Sequence, residues 1–261
     1  MSLLPAPLTA VRPAFLTRVT PVSRLTAGTI WLAACLVTLD PIVPLRLAMA
    51  AIVALVLWSG LPLRRIPARL WPIGLAVLSI TAFSILLAGA NSDPAARELF
   101  RAGPLRVTAE AVSAGLAVGL RLIVIALTTL LVFGPSDPTR LADSLAQQWR
   151  VPDRFAYGSL ASLRMAPLMA VDWATIGAAR RLRGIAPRGP VAWLRDFAGR
   201  LLVILVSAIR RAERVALAMD ARGFDCGLER SHFREVRVGW RDWLAIAAAA
   251  AVAAGALAVG R

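Results

Sequence analysis

Two predicted helix ends, which we call the arginine endings, carry the side chains that are best placed to bind a partner. They are Arg180-Arg181-Leu182-Arg183-Gly184 and Ala221-Arg222-Gly223, and an alanine-rich helical pattern precedes each. Glycine after a helix is the usual left-handed cap, and arginine in a last turn complements the helix dipole. A guanidinium can also bind carboxylates or carbonyls bidentately. From the residues alone, a local cap and a protein-docking end are therefore equally good interpretations.

Few other side chains could support catalysis. All 30 basic residues are arginine, and the chain has one histidine and two cysteines. Without lysine the chain cannot build a Walker A loop, a Schiff base or a lysine general base. One histidine and two cysteines cannot fill a standard four-ligand zinc site. The sequence predicts a non-catalytic protein with no cofactor and no metal, which does not hydrolyse ATP itself.

The composition indicates a membrane protein. Of the 261 residues, 58% are hydrophobic and only 17% are charged, whereas a soluble domain carries roughly a quarter charged residues. Five apolar segments approach the ~20 residues that a bilayer core requires, and they lie at 25–39, 42–59, 70–90, 111–133 and 243–260. We therefore predict an all-α integral membrane protein with about five transmembrane helices.

The positions of the arginines predict how the chain is oriented in the membrane. Arginines precede the first span and separate the second from the third, namely Arg12, Arg18, Arg24, Arg64, Arg65 and Arg69. Because basic loops stay in the cytoplasm, we expect a cytoplasmic amino end and an external carboxyl end in the plasma membrane. The arginines of the 91–106 loop oppose this mildly. The predicted parts are an arm (1–23), four spans (24–134), a cytoplasmic region (135–239) and a last span (240–261).

The cytoplasmic region shows helical periodicity between arginines and acids. Ser136-Asp137-Pro138 is typical of a helix start, and we expect a short helix to about residue 150. A long helix over 154–183 should bend at Pro167. A second long helix over 191–222 carries an apolar stripe at three- and four-residue steps, which consists of Leu194, Phe197, Leu201, Leu205, Ala208, Ala212, Val215 and Met219.

Arg121 lies inside the fourth predicted span, where an unpaired charge costs at least roughly 2.5–3.5 kcal/mol. It could face a partner protein, but pairing with Glu110 or with a neighbouring carbonyl is the favoured interpretation. Gly115 and Gly119 in the same span are weak indications of a close helix-packing face. His232 and Cys226 follow the second arginine ending, and we expect both at a solvated surface.

Two stretches of the sequence resemble the motifs of a known family. "AARRLRGI" at 178–185 and "AIRRAERVALAMDARGF" at 208–224 are similar to the two motifs of the transmembrane T component of energy-coupling factor (ECF) transporters. The resemblance covers residues 24 to 260 and is most specific from 119 to 243. Leu182 stands where the family commonly has alanine, and residues 1–23 have no evident counterpart.

The resemblance implies a mechanism and partners. T components bind a small substrate-capturing S component in the membrane and two ABC-type ATPase subunits, separate or fused, in the cytoplasm. Two crossed coupling helices each end in a groove of the ATPase pair, and ATP drives uptake of a vitamin or metal ion. Arg183 and Arg222 would enter the grooves, flanked by Leu182, Gly184, Ala221 and Gly223. Nucleic acid is not an expected partner.

Other classes of protein explain the sequence less well. A conventional ABC permease normally presents one coupling helix per chain, whereas two arginine endings occur here. A non-transport membrane scaffold with helices on anionic lipid fits the basic amphipathic stretches. A lipid-modifying membrane enzyme would need clustered acids or histidines, and the acids here are dispersed among arginines as ion pairs would be.

Overall fold

A computed structural model describes residues 15–38, 40–60, 66–92, 97–102, 105–134, 136–185, 187, 189–224 and 234–258. The helices in these ranges are α1 (Phe15–Arg18), α2 (Pro21–Val37), α3 (Ile42–Trp58), α4 (Ile66–Leu86), α5 (Ala109–Phe133), α6 (Pro138–Gln148), α7 (Asp153–Leu182), α8 (Pro190–Asp220) and α9 (Trp240–Ala258). Two short strands, β1 (Glu98–Ala102) and β2 (Leu105–Thr108), lie between α4 and α5.

The chain divides into two compact units. Of the described residues, one unit contains those in 15–144 and 236–258, and the other contains those in Leu145–Glu235. The first holds the apolar helices α2 to α5 and α9, which we call the apolar bundle. The second holds the long helices α7 and α8 with the two arginine endings.

Within the apolar bundle, the contacts fix the helix directions. The Thr20 N–H donates to Asp242 Oδ1 at 2.7 Å, and Trp31 Nε1 donates to the Ala249 carbonyl at 3.0 Å. Rising numbers on α2 meet rising numbers on α9, so these two helices run in parallel. Gly28 of α2 instead faces Val132 and Thr128 near the end of α5. Because Arg121, earlier on α5, contacts the Cys35 and Thr38 carbonyls at the end of α2, helix α5 runs opposite to α2.

The core of the bundle combines large side chains on α3 and α5 with small ones on α9. The side chains of Leu47, Ala51 and Val124 are fully buried. The buried alanines of α9 are Ala249, Ala253 and Ala256. Their spacing puts them on one helix face, and their size lets the helix backbones approach closely. The last apolar segment is rich in alanine and only weakly hydrophobic, but it forms a helix that packs within the bundle.

The predicted apolar segments all form helices, shifted by a few residues. Helix α2 starts at Pro21, so Arg24 lies inside it and not before it as the sequence suggested. Among the described residues, α5 and α9 are long and apolar enough to cross a bilayer, while α2, α3 and Leu70–Leu86 are shorter apolar helices. The apolar helical character is confirmed, and the number of five spans stays a prediction.

The partner of Arg121 is a pair of backbone carbonyls. Its Nε donates to the Cys35 carbonyl at 3.0 Å, and its Nη2 donates to the Thr38 carbonyl at 2.7 Å. These carbonyls lie at the end of α2, where the helix can no longer satisfy them itself. The interpretation that Arg121 pairs within the bundle is confirmed, with a carbonyl and not Glu110 as the partner.

Gly115 and Gly119 lie at a close contact between α5 and α4. A methyl group at Gly115 would collide with the Ile85 side chain, and one at Gly119 would collide with the Thr81 side chain. The weak glycine pattern in the sequence therefore marks a real helix-packing face, because only hydrogen side chains leave room for α4.

Two short strands lie between α4 and α5, where the sequence suggested a loop over 91–106. Strands β1 and β2 pair in antiparallel fashion, and Glu98 forms an ion pair with Arg106. Asn91 joins the ends of the flanking helices, since its Nδ2 donates to the Ile85 carbonyl at 2.7 Å and its Oδ1 accepts from Thr108 N–H at 3.0 Å. Arg106 therefore has a structural role in a hairpin.

Candidate functional site: two arginine-bearing helix ends

The end of α7 closes through its own backbone. The Gly184 N–H donates to the Arg181 carbonyl at 3.0 Å, and the Ile185 N–H donates to the Arg180 carbonyl at 3.0 Å. Gly184 has a φ of 74°. This is the Schellman pattern, in which a left-handed glycine lets the chain turn back and satisfy the last carbonyls. Arg183 is the residue just before that glycine.

The end of α8 repeats this arrangement atom for atom. The Gly223 N–H donates to the Asp220 carbonyl at 2.9 Å, and the Phe224 N–H donates to the Met219 carbonyl at 3.0 Å. Gly223 has a φ of 73°, and Arg222 is again the residue before it. Two endings that differ in surrounding sequence therefore share one backbone geometry, with an arginine at the same position and an apolar residue after the glycine.

All six predicted site residues are exposed, namely Leu182, Arg183, Gly184, Ala221, Arg222 and Gly223. Leu182 is 90% exposed, an unusual state for leucine at a helix end. Among the residues that the structure describes, neither Arg183 nor Arg222 forms an ion pair or a hydrogen bond through its guanidinium. Because backbone N–H groups already satisfy the last carbonyls, the helices close without these side chains.

Other arginines of these helices are held in place. Arg180 Nε lies 3.2 Å from Asp196 Oδ1, and Arg200 forms a second ion pair with the same carboxylate. Asp196 is 8% exposed and is the buried residue of α8. It therefore bridges an arginine of α7 and one of its own helix, and it fixes the contact between the two. Farther along, Arg211 Nη2 lies 3.2 Å from Asp172 Oδ2.

Two glycines let the helices approach at this contact. A methyl group at Gly177 would lie 2.6 Å from Arg200 Nη1, and one at Gly199 would lie 3.0 Å from Arg180 Nη1. Each glycine thus makes room for the arginine of the opposite helix. Trp173 adds an edge contact to Phe197, with ring centroids 5.3 Å apart. The contact therefore combines a shared carboxylate, two glycine notches and an aromatic pair.

The ion pairs between α7 and α8 also show that the two arginine endings lie far apart. Arg180 meets Asp196 and Asp172 meets Arg211, so falling numbers on α7 meet rising numbers on α8 and the helices run antiparallel. With a rise of 1.5 Å per residue, the ends at Leu182 and Asp220 are roughly 30–40 Å apart. One compact pocket cannot contain both guanidinium groups, so the two ends present two separate sites.

Helix α8 leaves most of its predicted apolar stripe uncovered within its unit. Leu194, Leu201 and Leu205 are 61%, 52% and 57% exposed. Neighbouring apolar side chains are also exposed, including Leu202, Val206, Ile209 and Leu217. A contiguous apolar surface of this kind is typical of a protein or membrane contact. Within its own unit the stripe is therefore uncovered and available for an apolar contact.

Sequence reasoning found the endings but missed the contact between α7 and α8. Arg200 follows Asp196 by four residues, which is ordinary helix-surface spacing, and that pair could have been found. The Arg180 bond to Asp196 spans two helices, so periodicity within one helix does not reveal it. Gly177 and Gly199 also gave no signal, because glycine within a helix is usually a weak point.

Metal chemistry finds no support in the described part of the chain. No group of three or more histidine, cysteine or carboxylate side chains there could hold a metal ion. His232 and Cys226 lie outside the described residues, so their predicted surface position stays a prediction.

Comparison with known proteins places the chain in a family. Residues 14–233 match the CbiQ family, described as cobalt transport protein. Two relatives are energy-coupling factor transporter transmembrane proteins EcfT: that of Exiguobacterium sibiricum is 31% identical over 193 residues (70% of this chain, 72% of that protein), and that of Thermosediminibacter oceani is 29% identical over 218 residues (80% and 78%). The match contains both arginine endings, the resemblance to ECF T components is confirmed, and the chain belongs to the CbiQ family.

Proposed function

We propose that this chain is the coupling subunit of an ECF-type importer. In this function two ATPase subunits, separate or fused, bind the ends of α7 and α8, and a small membrane S component supplies a vitamin or metal ion. The observation that carries the proposal is the repeated geometry of the two endings, in which Arg183 and Arg222 are exposed and not needed to close their helices. The EcfT names of the relatives agree with it.

Docking of the endings would follow from simple electrostatics. Each guanidinium offers a planar set of donors that can bind carboxylates or carbonyls in a groove. Gly184 and Gly223 bring no side chain, so the backbone beside each arginine can approach a groove wall closely. Leu182 and Ala221 would add small apolar contacts. The separation of roughly 30–40 Å, from the helix rise, suits two ATPase subunits that act as a pair.

The contact between α7 and α8 would transmit the motion. A shift imposed on one ending reaches the other helix through Asp196, since this carboxylate binds Arg180 and Arg200 together. Close packing and ion pairs resist local deformation, so the pair would move as a unit. The exposed apolar stripe of α8, with Leu201 and Leu205, would then pass this motion to an apolar partner. The S component is the partner of that chemistry.

The first experiment tests complex formation and the lack of intrinsic ATPase activity. The affinity-tagged chain, purified from its native membranes, should bring two ATPase subunits (or one fused chain) and a small membrane protein. The chain expressed alone should hydrolyse ATP no faster than a mock preparation, because it has no phosphate-binding lysine. Hydrolysis by the isolated chain would contradict the proposed function.

The second experiment tests the proposed orientation, with α7 and α8 in the cytoplasm and the carboxyl end outside. In a chain with Cys35→Ala and Cys226→Ser, a cysteine at Val191 should react with a membrane-impermeant maleimide only after lysis. Val191 is 80% exposed, so access to the reagent reports the side of the membrane. A cysteine in place of Arg261 is the control for the opposite side. Labelling of Val191→Cys in sealed cells would invert the orientation.

A further inference from the structure

A cavity of about 410 Å³ in the apolar bundle contains a buried arginine. Its volume is within the range of small-molecule sites. The walls come from the amino ends of α2 and α9 and from the carboxyl ends of α3 and α5, so the cavity lies toward one end of the bundle. Exposed side chains at its rim, Val53, Trp58 and Val252, would face lipid tails in a bilayer.

Arg24 is the charged residue of this cavity. It is 5% exposed, and its Nε and Nη1 atoms are buried without a hydrogen-bond partner in the described part of the chain. A buried guanidinium without partners is strongly unfavourable. A polar group of another molecule that accepts hydrogen bonds there would satisfy both atoms.

The charges around Arg24 favour an anion. Arg140 and Asp242 are the charged side chains that act on Arg24. Asp242 already accepts hydrogen bonds on both carboxylate oxygens, from the N–H groups of Thr20 and Gly239, each at 2.7 Å. Asp242 is therefore already engaged by two backbone N–H groups, and Arg140 adds a repulsion on the Arg24 guanidinium.

A second buried polar side chain, Thr128, lines the same cavity. Thr128 is 3% exposed, and its hydroxyl has no hydrogen-bond partner among the described residues. The Cγ2 methyl of Thr128 faces Gly28, where an added methyl group would lie 3.1 Å from it. Gly28 follows Arg24 by four residues, about 6 Å along α2. The lining of the cavity thus combines a positive charge, a buried hydroxyl and apolar side chains.

We propose that this cavity binds an anionic phospholipid. Its phosphodiester lies on the Arg24 guanidinium, an ester oxygen accepts from the Thr128 hydroxyl, and one acyl chain fills the apolar part. Basic pockets between spanning helices are known to take anionic headgroups, and the bilayer supplies such molecules at high concentration. The arm of residues 1–14 contains no aspartate or glutamate, so its side chains cannot supply the missing negative charge.

The test measures lipid retained by the full chain, purified in mild detergent and analysed by native mass spectrometry. We expect about one phosphatidylglycerol per wild-type chain after addition of an equimolar mixture with phosphatidylcholine. Arg24→Gln should weaken retention about tenfold or more, as for other lost hydrogen bonds to a charged group. Arg18→Gln is the matched control, because Arg18 lies six residues earlier and is exposed.

A second pair of variants keeps the test valid if Arg24→Gln does not fold. Ala248→Leu fills the cavity that Ala248 lines and should lower retention, whereas Ala247→Leu, on an exposed neighbouring position outside the lining, should not. Equal retention by wild type, Arg24→Gln and Ala248→Leu would overturn the proposal, as would equal binding of phosphatidylcholine. Lipid binding that begins only after deletion of residues 1–14 would also overturn it, since the arm would then be the occupant.

Discussion

Reversal of charge at both endings, Arg183→Glu with Arg222→Glu, is expected to abolish binding of the ATPase subunits while the chain still inserts into the membrane. Loss of one member of a buried charged pair commonly costs ~2–5 kcal/mol, which is roughly 30- to several-thousand-fold in affinity. Each single variant should lose one such contribution, and the double variant should lose both. The measurement is the yield of ATPase subunits in a pull-down, together with uptake by cells.

Arg195→Glu with Arg210→Glu is the matched control for this experiment. Both residues are exposed on α8, so the control makes the same change in net charge on a coupling helix without changing an ending. It should keep wild-type yield, since exposed charges contribute little to a specific contact. A double Arg183/Arg222 variant that still recovers its ATPases at wild-type yield would show that the arginines serve only the helix dipole, an effect of about 0.3–1 kcal/mol.

The second large effect is expected at the contact between the helices. Asp196→Asn keeps the size of the side chain but removes the charge that Arg180 and Arg200 share. The two guanidinium groups then repel each other at a mostly buried position, and breaking such a pair costs about 3–5 kcal/mol. Arg180 is 27% exposed, so water screens part of the repulsion between the two guanidinium groups. We therefore expect a loss of stability near the lower end of this range.

This loss should appear both in stability and in coupling. We expect a lower thermal unfolding midpoint for the purified chain and, in the complete complex, less substrate transported per ATP hydrolysed. The arginine endings are unchanged, so ATPase binding should persist. Glu213→Gln removes a carboxylate at an exposed position of the same helix and should leave both quantities unchanged. Wild-type coupling in Asp196→Asn would show that motion does not pass through this contact.

Most of the fold follows from patterns that are local in the sequence. The helix starts at Pro138 and Pro190 and the glycine stops at Gly184 and Gly223 depend on backbone preferences that each residue carries with it. Apolar composition likewise predicted the helices of the bundle. Their boundaries moved by a few residues because capping groups, such as the Thr20 hydroxyl on Ser23 N–H, are hard to recognise in a continuous apolar run.

What the sequence did not reveal depends on contacts between distant residues. Asp196 is an ordinary helix-surface aspartate until Arg180 approaches from another helix. Arg24 was predicted to precede the first span, but it lies within α2 and is buried by neighbouring helices. The hairpin of β1 and β2 was missed because the segment is short and contains charged residues, which are weak strand formers. The coupling roles of the two endings and the limits of the predicted domains stay predictions.

The left-handed backbone at Gly184 and Gly223 has a consequence for how mutations in the two motifs can be interpreted. An L-residue with a side chain costs roughly 1–2 kcal/mol in that conformation, whether or not an ATPase is present. A glycine variant therefore weakens the helix end and its docking at once, and its phenotype cannot separate the two. Arg183 has ordinary backbone angles, with φ −82°. In each motif the glycine serves local folding, whereas the proposed function gives the arginine a role in recognition, so substitutions at the two positions test different properties of the helix end.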